Sequence, residues 1–157
     1  MVYIYEIAKH FRPTPKKLLI EEPRDLFRND NWVGTAYWFL AKLEEEPKVI
    51  RNLKAEKPYI EDINQTIEYL VNQFTKNRKD YEVAELQNHF KLIGENIAVC
   101  LQSKSHEVLI NTAFIGLLKD IPYSMDFWVE NPKRPVFATA NIGHNQEVVG
   151  VFMPIRE

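Results

Sequence analysis

Across residues 59–79 the apolar side chains Ile60, Ile63, Ile67, Leu70 and Phe74 follow one another at steps of three, four, three and four. A strand repeats every second residue, so this spacing describes one stripe of an α-helix. Glu61, Gln65, Glu68 and Asn72 stack on another face. An amphipathic helix of this kind must lay its stripe against a second layer, and the rest of the chain has to supply that layer.

The flanking segments extend the helical pattern. Asp30 or Asn31 can cap a helix over residues 32–46, whose Val33, Ala36, Tyr37, Leu40 and Leu43 recur at helical spacing. Pro47 ends it, because the residue before a proline is pushed out of the α region. Asp80 can cap a third helix over 81–103, with Val83, Leu86, Phe90, Ile93, Ile97 and Leu101 as its stripe and Gly94 in its middle. The short link 77–80 then makes an antiparallel helical hairpin. Residues 103–119 read as a fourth helix opened by Ser103 and Ser105, with a strand at 108–110 as the alternative.

The two ends have a different texture. Residues 2–7 alternate tyrosine with aliphatic side chains and fit a strand, whereas Pro13, Pro15 and Pro23 leave room for at most one helical turn near 25–28. Pro122, Pro132 and Pro135 bracket an irregular stretch that carries Phe127 and Trp128. Residues 136–142 and 148–155 form a hairpin around Gly143, and a lone hairpin needs a third strand, for which 2–7 is the natural donor. The expected fold is therefore a single α+β domain over 1–157. About four helices, including a central antiparallel helical hairpin, pack on a small antiparallel sheet formed by the C-terminal hairpin and the N-terminal strand.

Composition narrows the chemistry. Twenty Lys and Arg against 22 Asp and Glu give a net charge of −2, which excludes the uniformly basic surface of a nucleic-acid binder. Cys100 is the only cysteine, so intrachain disulfides and cysteine-rich zinc sites are excluded, and its apolar neighbours read as a core setting. The five glycines form neither a phosphate-cradling loop nor a serine-nucleophile elbow. No apolar run approaches the ~18 residues of a membrane span, and Glu6 without a basic lead-in does not read as a secretory signal. A cytoplasmic setting is expected, with no cofactor, metal, membrane or nucleic-acid partner.

His10, His89, His106 and His144 have no metal-ligand spacing. His89 lies four residues after Glu85, so on a helix the carboxylate would orient the imidazole; a core-edge histidine is the simpler reading. His106 and His144 read as exposed residues of a helix start and a hairpin tip. One enzymatic alternative is a small metal-independent ribonuclease using His106, His144, Glu147, Lys133 and Arg134 of the C-terminal third.

Charge is unevenly distributed: residues 1–57 carry +2, residues 58–102 carry −3 and residues 103–157 carry −1. On the expected helical hairpin Glu61, Asp62, Glu68, Glu82, Glu85 and Glu95 face solvent, and Glu44, Glu45 and Glu46 add a second acidic run. Trp38 falls off the stripe of its helix and Trp128 sits in a proline-flanked loop, and tryptophan is a favoured anchor at interfaces. The sequence thus favours a non-catalytic protein-binding domain of the inhibitor or immunity type. Its contact residues would be Glu61, Asp62, Glu68, Glu82, Glu85, Trp38 and Trp128, and its partner a protein with a basic surface, such as a toxin nuclease.

Overall fold

The computed structural model describes residues 11–43, 45–55 and 60–156, and of 60–64 the backbone alone. The strand expected at 2–7, His10 and Glu44 lie outside the described residues. Among these residues the chain forms β1 (Phe27–Arg28), β2 (Trp32–Gly34), β3 (Trp38–Ala41), α1 (Lys48–Arg51), α2 (Ile60–Lys76), β4 (Glu82–Ile93), β5 (Asn96–Gln102), β6 (Glu107–Asn111), α3 (Thr112–Gly116), β7 (Met125–Val129), β8 (Val136–Ile142) and β9 (Asn145–Phe152). The nine strands make one antiparallel sheet in the order β1-β2-β3-β9-β8-β7-β4-β5-β6. The fold is mostly β, which corrects the four-helix α+β expectation.

Three of the four expected helices are replaced by strands, wholly or in part. Within the range 32–46, residues 32–41 fold as the β2–β3 hairpin, with Val33 opposite Leu40 and the Thr35 N–H bonded to the Trp38 carbonyl at 2.9 Å. Residues 81–103 fold as the β4–β5 hairpin, in which Ile93 faces Asn96 across the two-residue turn Gly94 and Glu95. Gly94 there has φ +60, a conformation that glycine adopts without a Cβ clash. A helix interior could not use that φ, so the turn accounts for the glycine. Residues 107–111 form β6, and only the short α3 follows it. The stretch around Phe127 and Trp128 is β7, not a loop. Pro47, expected to stop a helix, stands instead at the N-cap of α1. The helix α2 and the hairpin turning at Gly143 form as the sequence indicates.

The sheet is apolar on both faces, and each face has its own cover. Inside, Trp38, Leu40, Val99, Leu101, Val108, Ile110, Val136 and Ala138 meet Leu18, Leu26, Ile50 and Phe114 from the segments that cross this face. Outside, Phe39, Phe137 and Val151 meet Ile67 and Phe74 of α2. The Phe74 and Phe137 rings stack at 4.6 Å, and Tyr81 stands edge-on to both. The far edge does not end in open backbone. The Ile155 N–H, three residues past β9, bonds to the Leu109 carbonyl of β6 at 2.8 Å. Because β9 and β6 lie at separate places in the strand order, this bond shows the sheet curling back toward itself.

Trp38 is fully buried and its indole N–H donates to the Leu18 carbonyl at 2.9 Å. It therefore cannot contact a partner, contrary to its expected outward role. Trp38→Ala is expected to lower unfolding free energy by about 3–5 kcal/mol in urea titrations, through lost burial and a cavity. A loss within ~1 kcal/mol would show that the inner core is not packed around this indole.

Candidate functional site

The described surface offers two distinctive features, a cleft and a projecting arm. The cleft is framed by one guanidinium. Arg28, on β1, donates Nε and Nη2 to the Glu46 carboxylate at 2.8 Å each, Nη1 to the Leu53 carbonyl and Nη2 to the Ile50 carbonyl. Both charged groups are mostly shielded, at 24% and 12% side-chain exposure, so the pair is short, forked and strong. It ties the first strand to the segment after β3 and to the end of α1. Lys42 adds a contact to Glu46 at 3.6 Å, while Arg51 holds the Glu46 carbonyl and the Glu45 carboxylate. The wall so fixed stands across from residues 117–123 and encloses about 370 Å³ over Leu40, Leu43, Leu117, Ile121 and Tyr123. Lys48 and Asp120 stand at its margin and also line an adjoining hollow of about 640 Å³.

The arm is the outer half of the β4–β5 hairpin. Ala84 and Leu86 face the inner core, as do Val99 and Leu101 across from that strand. Past the register shift between Leu86 and Phe90 the same face continues with Phe90 opposite Val99 and Leu92 opposite Ile97. Here the core has ended. Phe90, Leu92 and Ile97 are 45%, 76% and 49% exposed, and Phe90 meets Phe11 edge-on at 5.7 Å. Three adjacent apolar side chains open to solvent on one face exceed the scattered exposure ordinary surfaces show. Sequence reasoning missed them because it placed Phe90 and Ile97 in a buried helical stripe; the Gly94 turn with apolar alternation before it was the available signal.

The acidic residues expected on paired helices do not share a face. Glu68 is exposed on α2, whereas Glu82 and Glu85 lie on a strand. The side chains of Glu61 and Asp62 lie outside the described residues. Glu85 is exposed on the outer face, but Glu82 is a structural clamp. Its carboxylate accepts from Ser103 Oγ and Ser105 Oγ at 2.7 Å each and from the Ser105 N–H at 2.9 Å, closing the turn between β5 and β6. These bonds hold Glu82 down to about 2, with the hydroxyl of Ser103 the largest cause. Trp128 is half-buried; its Nε1 donates to Thr139 Oγ1 at 2.9 Å and the Arg78 guanidinium lies 4.2 Å above its ring. Nearby, burial and then Glu130 push Tyr81 up to about 12.

The candidate nuclease residues are also dispersed. Lys133 and Arg134 precede β8 and His144 follows it, so a seven-residue strand, roughly 20 Å at its usual rise, separates them. His106 sits in the turn clamped by Glu82, and Glu147 lies on β9 opposite Ala140. His89, exposed on the strand between Leu86 and Phe90, no longer stands one helical turn from Glu85. Cys100 is buried, and desolvation raises its thiol above the usual range. Among the described residues no three His, Cys, Asp or Glu side chains converge on a metal position, and no helix is long and apolar enough to cross a membrane. No family model, curated protein or solved structure matches the chain.

The Glu82 clamp predicts an acid-sensitive turn. Its folded pKa is depressed from 4.5 to about 2, so the stabilisation is fully present above the unfolded value and is lost as pH falls from 4.5 toward 2. Glu82→Gln is expected to flatten that limb of the stability profile measured by denaturation at pH 2–6. An unchanged profile would remove the carboxylate from this role.

Proposed function

We propose that this chain is a protein-binding domain of the inhibitor or adaptor type, which meets its partner through the outer half of the β4–β5 hairpin. The observation that carries the reading is the apolar row of Phe90, Leu92 and Ile97 on a two-stranded arm beyond the core. Covering a side chain such as Leu92 supplies about 1.5–3 kcal/mol, and a central cluster of that kind is what interfaces use as an anchor.

Charge refines the partner. Glu95 is exposed at the tip of the arm and Glu85 at its base, while Lys91 lies 3.6 Å from the Glu107 carboxylate. The arm therefore suits an apolar cleft with a cationic rim, such as the phosphate-binding groove of a nuclease. This retains the basic partner suggested by the charge distribution and moves the contact from a helical face to a strand pair. Complementary rim charges would mainly raise the association rate and confer specificity.

A photo-crosslinking residue placed at position 92 in the producing cells tests the reading. The expected result is a discrete adduct with one other protein, which disappears when Ile97→Asp is added. Thermal denaturation of Ile97→Asp checks that the variant folds, so that loss of the adduct reports on the contact and not on unfolding. Adducts at exposed Tyr69 of α2 but not at position 92 would place the contact elsewhere. An adduct of twice the chain's mass would make the arm a self-association surface.

A further inference from the structure

The cleft next to α1 is separate from the arm, and its two lobes differ in chemistry. The lobe of about 370 Å³ has an apolar floor of Leu40, Leu43, Leu117 and Ile121, within the size range of small-ligand sites. The adjoining lobe is lined by Arg12, Lys48 and Lys119, with Asp120 as its one carboxylate. Pro47, Lys48 and Asp120 line both, so the two lobes adjoin.

The state of the neighbouring charges decides what such a cleft can hold. Arg28, Lys42 and Arg51 are committed to Glu46 and Glu45, so two of those three charges are offset within the group and each of the three cations already has a carboxylate partner. Arg12, Lys48 and Lys119 have no such partner among the described residues and stand three against the single Asp120. Arg12 is held there by a close backbone approach. A Cβ on Gly116 would come within 2.6 Å of the Phe11 carbonyl oxygen and 2.9 Å of Pro13 Cδ, so glycine lets residues 11–13 cross the end of α3. Lys119 follows on the turn that leaves that helix, its N–H bonded to the Gly116 carbonyl at 3.4 Å.

We propose that this two-lobed cleft binds a small organic acid. The carboxylate lies among Arg12, Lys48 and Lys119, and the apolar body rests on Leu40, Leu117 and Ile121. Charge-assisted bonds to the lysines hold the head, and burial of the hydrocarbon supplies the rest of the affinity.

Calorimetric titration of the full chain with octanoate, octanol and octylamine tests this. Octanoate is expected to bind saturably and more tightly than octanol, and octylamine most weakly. The double variant Lys48→Glu, Lys119→Glu alters two surface side chains, and thermal denaturation checks that it folds. It is expected to weaken octanoate roughly tenfold or more while leaving octanol unchanged. If that variant proves unfolded, the milder pair Lys48→Gln, Lys119→Gln is expected to show a smaller change in the same direction. Absent octanoate binding, unchanged octanoate affinity in a folded variant, or preference for octylamine would each overturn the proposal. The arm variant Ile97→Asp is expected to bind octanoate normally, which keeps this site distinct from the protein contact.

Discussion

Strand β4 belongs to two pairings, and the sheet depends on that double membership. Glu82, Val83 and Ala84 face Val129, Trp128 and Phe127 of β7, while the residues from Glu85 onward face β5. Among the described residues no other strand pairing joins β5 and β6 to the rest of the sheet. The register shift between Leu86 and Phe90 lets the strand bend and twist between its two roles. Glu82 acts at the start of the same strand, gripping the turn that carries β5 into β6. With the base of the strand pair anchored in this way, its outer half can leave the core without dissolving its own ladder.

Covering both faces of the sheet also creates the cleft. α2 takes the outer face through Ile67 and Phe74, leaving the inner face to short irregular segments. Such segments cannot satisfy their backbone within regular ladders, so side chains must do it. Arg28 does this for the Ile50 and Leu53 carbonyls, and Asn111 accepts the Ala113 N–H at the start of α3. The cleft lies between two segments fixed by such bonds, and an arginine-to-carboxylate pair partly shielded from water defines its wall.

Legibility in the sequence followed the number of faces each element buries. α2 buries one stripe, so its period was plain. The β8–β9 hairpin was marked by its turn at Gly143. β4 and β5 present apolar side chains on both faces: Leu86, Phe90, Ile97 and Leu101 share the inner side, while Val83 and Ile93 lie on the outer. Drawn together, they mimic a three-four helical stripe, although no single helix face collects them. The acidic surface failed for the same reason, since Glu82 and Glu85 fall on opposite sides of a strand. The pairing of Arg28 with Glu46 reaches 18 positions along the chain, across the β2–β3 hairpin, and left no periodic trace.

Residues 82–102 form a strand pair whose tip stands clear of the core. Nuclear Overhauser effects and amide exchange across this segment measure it directly. The expected result is cross-strand contacts linking 90–93 to 96–99, slow exchange at Val99 and Leu101, and fast exchange at Gly94 and Glu95. Sequential contacts of helical type running unbroken through Gly94, with uniform protection along 81–103, would contradict it.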